Sequence, residues 1–252
     1  MRDKNRVSFW PSYVDVMTTL FAIMVVLFAV SYSRFRVKEA ELKKIANKYE
    51  EIRSIYKVVE NIDSTYFEFN PKYVKHIFKI QVTYQAGKFK LDQLLDDVND
   101  KSAADKVREQ IKSAGREIEQ TIRRLQDSTF TNQDIKYLVV IEGQASADGY
   151  NNDDYFNNDV LSYQRALALH RFWKDEAGID FANMPRCELV ISGSGEGGVP
   201  RFTEQDFKNS KEYLSSVGTN KEKAWKKEDW EKYNQRFLIH IVPVIGNIKM
   251  ND

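Results

Sequence analysis

A single cysteine, Cys187, occurs among the 252 residues, so no disulfide can form within the chain. Histidine is nearly as scarce. His76, His170 and His240 are scattered, with no cysteine partner and no metal-ligand spacing. An excess of charge of either sign is also lacking: 38 Lys and Arg face 37 Asp and Glu, a formal net charge of +1 that argues against a nucleic-acid partner. Long apolar runs are confined to one stretch, and 30% charged residues exclude a multi-span membrane protein. The glycine-rich Gly193-Ser194-Gly195-Glu196-Gly197-Gly198 lacks the Lys-Ser/Thr ending of a phosphate loop and reads as a strand-end turn. These absences point away from an enzyme, a bound cofactor or a resident metal.

What remains fits one soluble domain with appendages. Hydrophobic residues make up 42% of the chain, enough for a sizeable core. The mean hydropathy of -0.55 reflects everything after Tyr32. The exception is the run from Phe9 to Tyr32. As a helix it would extend about 36 Å at roughly 1.5 Å per residue, enough to cross a bilayer. Trp10, Tyr13 and Tyr32 lie near its ends, where amphipathic rings prefer the interface. A cleaved secretory signal would share the basic start, and Ala29-Val30-Ser31 is a weak cleavage-like site. An acid in the apolar middle, with no loop of small residues after it, favours a retained span. Arg2, Lys4 and Arg6 precede the span while Arg34, Arg36 and Lys38 follow it, so charge alone leaves its orientation open.

That acid is Asp15, one turn inside the run. An ionised carboxylate near the bilayer centre costs roughly 2.5–3.5 kcal/mol on insertion scales, so it survives mainly beside a partner or a watery path. It is a candidate ion carrier, or else makes a structural hydrogen bond to a partner helix. Tyr13, Thr18 and Thr19 are nearby hydroxyl ligands, although the threonines also suit polar packing.

Residues 33–62 read as a helical linker. Leu42, Ile45, Tyr49, Ile52, Tyr56 and Val59 are spaced as a heptad seam, and Phe35 extends it backward. The seam fits either a helix lying on its own domain or a short parallel coiled coil joining two chains. Lys48 and Arg53 would repel across such a dimer. Phe78, Ile80, Val82 and Tyr84 then alternate as a strand ending at the Ala86-Gly87 turn. Ser102 to Gln126 is an amphipathic helix with Val107, Ile111, Ile118, Ile122 and Leu125 as its stripe and a Ser102/Asp105 capping box. After a polar loop (128–134) come a buried strand, Tyr137–Ile141, a helix, Leu161–Trp173, and a core strand, Glu188–Ser192. A last strand, Phe237–Val242, is stopped by Pro243, and a charged insertion with Trp225 and Trp230 (202–232) precedes it. The predicted fold class is α+β: one membrane span, a helical linker and a two-layer domain with helices on one face of a sheet.

Four segments carry a resemblance. Val140-Ile141-Glu142-Gly143-Gln144-Ala145-Ser146-Ala147-Asp148-Gly149 is similar to the first strand and loop of OmpA-like peptidoglycan-binding domains, whose pattern is Gly-His-Thr/Ala-Asp-x-x-Gly. Asn158 to Ala166 matches their Asn-x-x-Leu-Ser-x-x-Arg-Ala. Ser192-Gly193-Ser194-Gly195-Glu196 resembles Gly-x-Gly-Glu, and Asn234-Gln235-Arg236-Phe237-Leu238-Ile239 resembles Asn-Arg-Arg-Val-Glu-Ile. The motif core covers 137–242. At the other end, Phe9-Trp10-Pro11-Ser12-Tyr13-Val14-Asp15-Val16-Met17-Thr18 is similar to the start of MotB-type stator subunits. The combination looks closest to the MotB-like subunit of Zorya anti-phage defence systems, while flagellar stators share the plan.

The resemblance implies a cytoplasmic tail (1–8), a transmembrane helix (9–32), the linker (33–62) and a periplasmic OmpA-like domain (63–246). It implies an inner-membrane, ion-driven motor in which two copies of this chain sit inside a pentamer of a MotA-like multi-span protein. Asp15 would carry the ion, a proton or, with the threonine oxygens, sodium. The C-terminal domain would bind peptidoglycan, with Arg165 meeting stem-peptide carboxylates and Asn158, Leu161 and Arg236 shaping the pocket. Two positions depart from the family: its His falls on Gln144, and its Asp, which pairs with a ligand ammonium, falls on Ser146. Asp148, Asp153 or Asp154 then substitutes, or wall binding is altered or lost. Two other readings compete. A passive peptidoglycan-binding tether would make Asp15 dispensable. An ExbD/TolR-type transducer shares the early Asp but carries a different periplasmic domain.

Overall fold

The computed structural model describes residues 10–82, 84, 87–91, 101–127, 135–147, 157–216 and 225–245. The chain divides into two compact units, Met1–Arg53 and Ser54–Asp252. Helix α1, Trp10–Glu60, runs for 51 residues and contributes its last turns to the second unit. Pro11 sits in its first turn, where a missing N–H costs nothing. The predicted span and linker are therefore one unbroken helix. It is long and apolar enough to cross a membrane, and its apolar side chains from Trp10 to Tyr32 are exposed, Phe28 at 72%.

The heptad seam divides. Leu42, Ile45 and Tyr49 are exposed, whereas Val59 is buried in the second unit together with Ile55, which the seam reading missed. Ile52 and Tyr56 are only half-buried. The last turns use an i, i+4 pair one step round from the predicted stripe, continued by Ile62.

The second unit holds a five-stranded sheet in the order β1-β2-β5-β3-β4, formed by Phe67–Asn70, Lys75–Phe78, Ile135–Gly143 (β3), Cys187–Gly193 (β4) and Phe237–Ile245 (β5). All neighbours are antiparallel except β3 and β4, which flank a crossover helix. Helix α2 is Lys101–Asp127 and the crossover helix, α3, is Asn158–Ala177. The fold class is α+β, as the alternation of elements predicts. Tyr137, Val139, Ile141, Phe237, Ile239 and Ile241 point from the sheet into one core with Ile111, Ile118 and Ile122 of α2 and Leu169 and Trp173 of α3. Trp173 is fully buried; its indole N–H donates to Ile111 O at 2.7 Å, and Gly115 leaves room for the ring.

Several boundaries differ from expectation. β1 was not expected: it is four residues long and ends in a turn where Asn70 Oδ1 accepts from the N–H groups of Lys72 and Tyr73. β2 begins at Lys75 and ends at Phe78, so Val82 and Tyr84 lie beyond the strand, although both are buried. Ser102 lies inside α2 and not at its cap, because the helix already includes Lys101. β4 is an edge strand and only partly buried. β5 passes through Pro243 instead of stopping there. Pro243 opposes Tyr137, whose N–H donates to Arg186 O on the other side, so this pair exchanges no ladder bond and the missing proline N–H faces away from β3. The 128–134 loop lies outside the described residues.

The described residues of the insertion form three short α-helices, Glu204–Lys208 (α4), Lys211–Ser216 (α5) and Lys227–Glu231 (α6). They gather around buried Phe207, whose ring meets Tyr213, Trp225, Trp230 and Tyr233. The insertion thus has an aromatic core of its own.

The outer sheet face carries a charged cluster. Lys75 Nζ lies 2.8 Å and His240 Nε2 3.4 Å from Glu142 Oε2. Burial opposes the charged form of Glu142, but His240, Lys75 and Ser194 together outweigh it and hold the carboxyl below its ordinary value. A lowered folded value adds stability above the unfolded carboxylate range, and that stability is lost as pH falls through the folded value. Glu142→Gln leaves Lys75 half-buried without its partner, and is expected to cost about 3 kcal/mol near neutral pH. Urea unfolding at about pH 7 and about pH 3 checks this, because the difference between the two proteins must shrink in acid. An equal gap at both would contradict it.

Candidate functional site

Two groups of residues carry candidate chemistry, one in each unit. In the first, the helix sets the geometry. Thr18 and Thr19 stand three and four residues after Asp15 and share its face, whereas Tyr13, two residues before it, lies on another. Tyr13 instead meets Trp10 edge-on, with ring centres 6.3 Å apart. The threonine hydroxyls donate back along the helix, Thr18 to Val14 O at 2.7 Å and Thr19 to Asp15 O at 2.8 Å. Their protons are thereby committed, and their oxygens keep the capacity to accept. Among the described residues no side chain bonds the Asp15 carboxylate.

In the second unit, the site lies where β3 and β4 end against the start of α3. Asn157 caps α3, its Oδ1 accepting from Val160 N–H at 2.9 Å. Asn158, Leu161, Ser162, Arg165, Ala166 and Leu169 then recur at helical spacing and are all buried, so one face of α3 is pressed onto the sheet. Gly143 and Gly193 allow this approach. A Cβ at Gly143 would fall 2.0 Å from Ser162 O, and one at Gly193 would fall 2.4 Å from Tyr163 N.

Past the end of β3, Gln144, Ala145 and Ser146 are buried. Asn158 Nδ2 donates to Ser146 O at 3.2 Å and to Glu196 Oε1 at 2.6 Å. Glu196 is exposed, so its carboxylate stands at the mouth of the site beside the position where an acid was expected. Gln235 Nε2 donates to Ser146 Oγ at 3.1 Å, while its Oε1 accepts from Tyr84 N–H at 2.9 Å. Tyr84 lies under Arg165, whose guanidinium carbon is 4.3 Å from the ring centre, and Arg165 Nε donates to Lys88 O at 3.1 Å. Ser146, Asn158, Leu161 and Arg165 are thus brought to one place.

Arg236 is not brought there. The β3–β5 register sets it beside Gln144, with Nε donating to Gln144 Oε1 at 2.9 Å and Nη2 to Pro200 O at 2.7 Å. Burial, with the neighbouring Arg201 charge, pushes Arg236 down to about 10, so it stays charged at neutral pH. The preceding residue, Gln235, which ends the 3₁₀ turn before β5, reaches Ser146 instead. Glu231 braces the same rim: it pairs with Arg201 at 2.6 Å and accepts from Ala147 N–H at 2.9 Å. Burial opposes its charge, and the Ala147 N–H, Arg201 and Asn234 overcome that and keep the carboxyl low. Asp148, Asp153 and Asp154 lie outside the described residues.

Glu196, Gln235, Tyr84 and the Lys88 carbonyl are the residues that motif reading did not single out for this site. Glu196 stood in a quoted motif segment and Gln235 beside a quoted arginine. Nothing local marks Tyr84 or Lys88, which arrive from a distant part of the chain. Among the described residues, no cluster of His, Cys, Asp and Glu is arranged to hold a metal ion.

No protein-family model matches the chain, and no curated protein matches it. Among solved structures, it is similar to a MotB-like protein from Desulfovibrio vulgaris at 19% identity, over 79% of this chain and 95% of that one, with a TM-score of 0.34.

Proposed function

We propose that this chain is the single-span B-type subunit of an ion-driven inner-membrane motor, anchored to peptidoglycan by its Ser54–Asp252 unit. The observation that carries the reading is the convergence of Ser146, Asn158, Leu161 and Arg165 with Glu196 at one end of the sheet. It supports a site with a cation on one side and an acid on the other, suited to the carboxylates and ammonium group of a stem peptide. Arg165 offers a planar fork for a carboxylate. Glu196 supplies the acid that Ser146 cannot, already oriented by Asn158.

In the membrane, Asp15 takes and releases the ion. A carboxyl that exchanges a proton changes the cost of its own burial, so protonation is coupled to how the surrounding helices sit. About 2.3 kcal/mol per charge per 100 mV is available to drive that cycle. A proton suffices for one acid, and the Thr18 and Thr19 oxygens leave sodium as the other ion. The partners are a second copy of this chain, joined along exposed Leu42, Ile45 and Tyr49, and a pentamer of a MotA-like multi-span protein. The N-terminus is cytoplasmic, the C-terminal unit periplasmic, and the role anti-phage defence, with flagellar-type stator duty as the alternative.

Co-sedimentation of the full chain with purified cell-wall sacculi tests the anchoring. Glu196→Gln keeps the shape and the hydrogen bond from Asn158 but removes the charge, and retention is expected to fall about tenfold. Unchanged retention of that variant would remove Glu196 from the site.

A further inference from the structure

His76 joins β2 to the end of helix α1. It is 1% exposed, and its Nε2 lies 2.9 Å from Val59 O in the last turn of that helix. A carbonyl only accepts, so the proton of the neutral ring sits on Nε2 and is donated to Val59. The other nitrogen, Nδ1, is buried with no hydrogen-bond partner. Phe67 and Phe69 of β1 pack on the imidazole, with ring centres 6.2 and 4.9 Å away, and offer no acceptor for a second proton. The charged residues around the ring do not compensate. Lys57 and Glu60 of the helix end are exposed, as is Glu68 between the two phenylalanines. Lys75 is paired with Glu142, and His240 of β5 opposes a second positive charge. The Val59 and Ile239 carbonyls favour a charged ring, but burial outweighs them and holds the imidazole below its ordinary range.

We infer that His76 is a pH-sensitive clasp: neutral, it holds the last turns of α1 on the sheet, and protonated, it lets them go. A proton on Nδ1 makes a buried charged donor with no acceptor, so the ring gains by reaching water. What yields is decided by how each neighbour is held. β1, β2 and β5 are joined by backbone ladders. The end of α1 has no ladder and docks through Ile55, Val59 and the bond to His76. The helix end is therefore the part that lifts. In the unfolded chain the ring takes its proton near about 6.5, whereas the docked ring takes it only at lower pH. Docking is thus at full strength above that value and weakens as the pH falls below it. Since α1 is also the helix that carries Asp15, acid around the second unit loosens the hold of the sheet on that helix. The inference does not depend on wall binding.

Hydrogen exchange on the full chain in detergent, at about pH 7 and about pH 5 with times scaled for the intrinsic pH dependence, tests the clasp. Peptides covering 54–62 are expected to exchange about tenfold faster at the lower pH, while the buried face of α2 keeps its protection. His76→Gln keeps an N–H for Val59 O but cannot titrate, so its exchange is expected to be alike at both. Absence of the acid step in the wild type overturns the clasp, and so does a step of the same size in His76→Gln. A rise shared by α2 also overturns it, because the whole unit is then opening. Should His76→Gln lack a cooperative thermal transition, the acid step is followed in His170→Gln and His240→Gln. It must survive in both, and its disappearance from either assigns the step to that histidine and overturns the clasp.

Discussion

Asp15→Asn is expected to abolish ion flow completely while leaving the membrane complex assembled. Asparagine keeps the size and much of the hydrogen-bonding capacity of the side chain but cannot take up and release a proton. A structural hydrogen bond would tolerate the change, and a carrier would not. The setting sharpens the contrast. Asp15 has no bonding partner among the described residues of its own chain, and the two threonines on its face have committed their protons to the helix backbone. Among the described residues nothing of the same chain engages the carboxylate, which leaves it open to a second copy, a multi-span partner, or water. Proton flux in proteoliposomes holding the purified complex checks this, alongside the mass of the mutant complex. Flux at the wild-type level would end the ion-driven reading and leave a passive tether.

Arg165→Ala carries the second large effect. A charged fork bonded to a carboxylate contributes several times a neutral hydrogen bond, so retention on sacculi is expected to fall about a hundredfold or more. Arg165→Lys keeps the charge but loses the planar fork, and is expected to recover only a small part. Arg165 is also buried and stacked on Tyr84, so its removal perturbs packing. Thermal unfolding separates the two effects. A variant that melts near the wild-type temperature and yet no longer binds has lost recognition, whereas the lysine variant should melt normally and still bind poorly. Equal retention of Arg165→Ala would leave the C-terminal unit without this role.

The parts of the fold legible in the sequence are those where a repeating pattern meets a single environment. Helix α2 buries Ile111, Ile118, Ile122 and Leu125 as their spacing requires, and β3 buries Tyr137, Val139 and Ile141 by strict alternation. Patterns that fit two environments are less legible. Ile52, Ile55, Tyr56 and Val59 contain two overlapping stripes, and only the docking of the last helical turns selects Ile55 with Val59. β1 is too short to show a period, and its Asn70-Pro71 boundary reads as loop. Pro243 looks like a stop until the ladder shows that its missing N–H falls on the side away from β3.

The same division runs through the candidate site. Asn158, Leu161 and Arg165 share a face because helical spacing puts them there, so their grouping is visible in the sequence. Arg236 and Gln235 are adjacent and both precede β5, and only tertiary contacts, Gln235 with Ser146 and Arg236 with Gln144, tell them apart. Glu196 approaches Asn158 from across the sheet end, and Tyr84 reaches Arg165 from some eighty residues away, at distances that no local pattern encodes.

The most direct test of the central claim is the composition and mass of the intact complex purified from native membranes. Two copies of this chain with about five copies of a multi-span partner are predicted. This chain alone, or with wall fragments only, would contradict the motor account and reduce Asp15 to a packing residue.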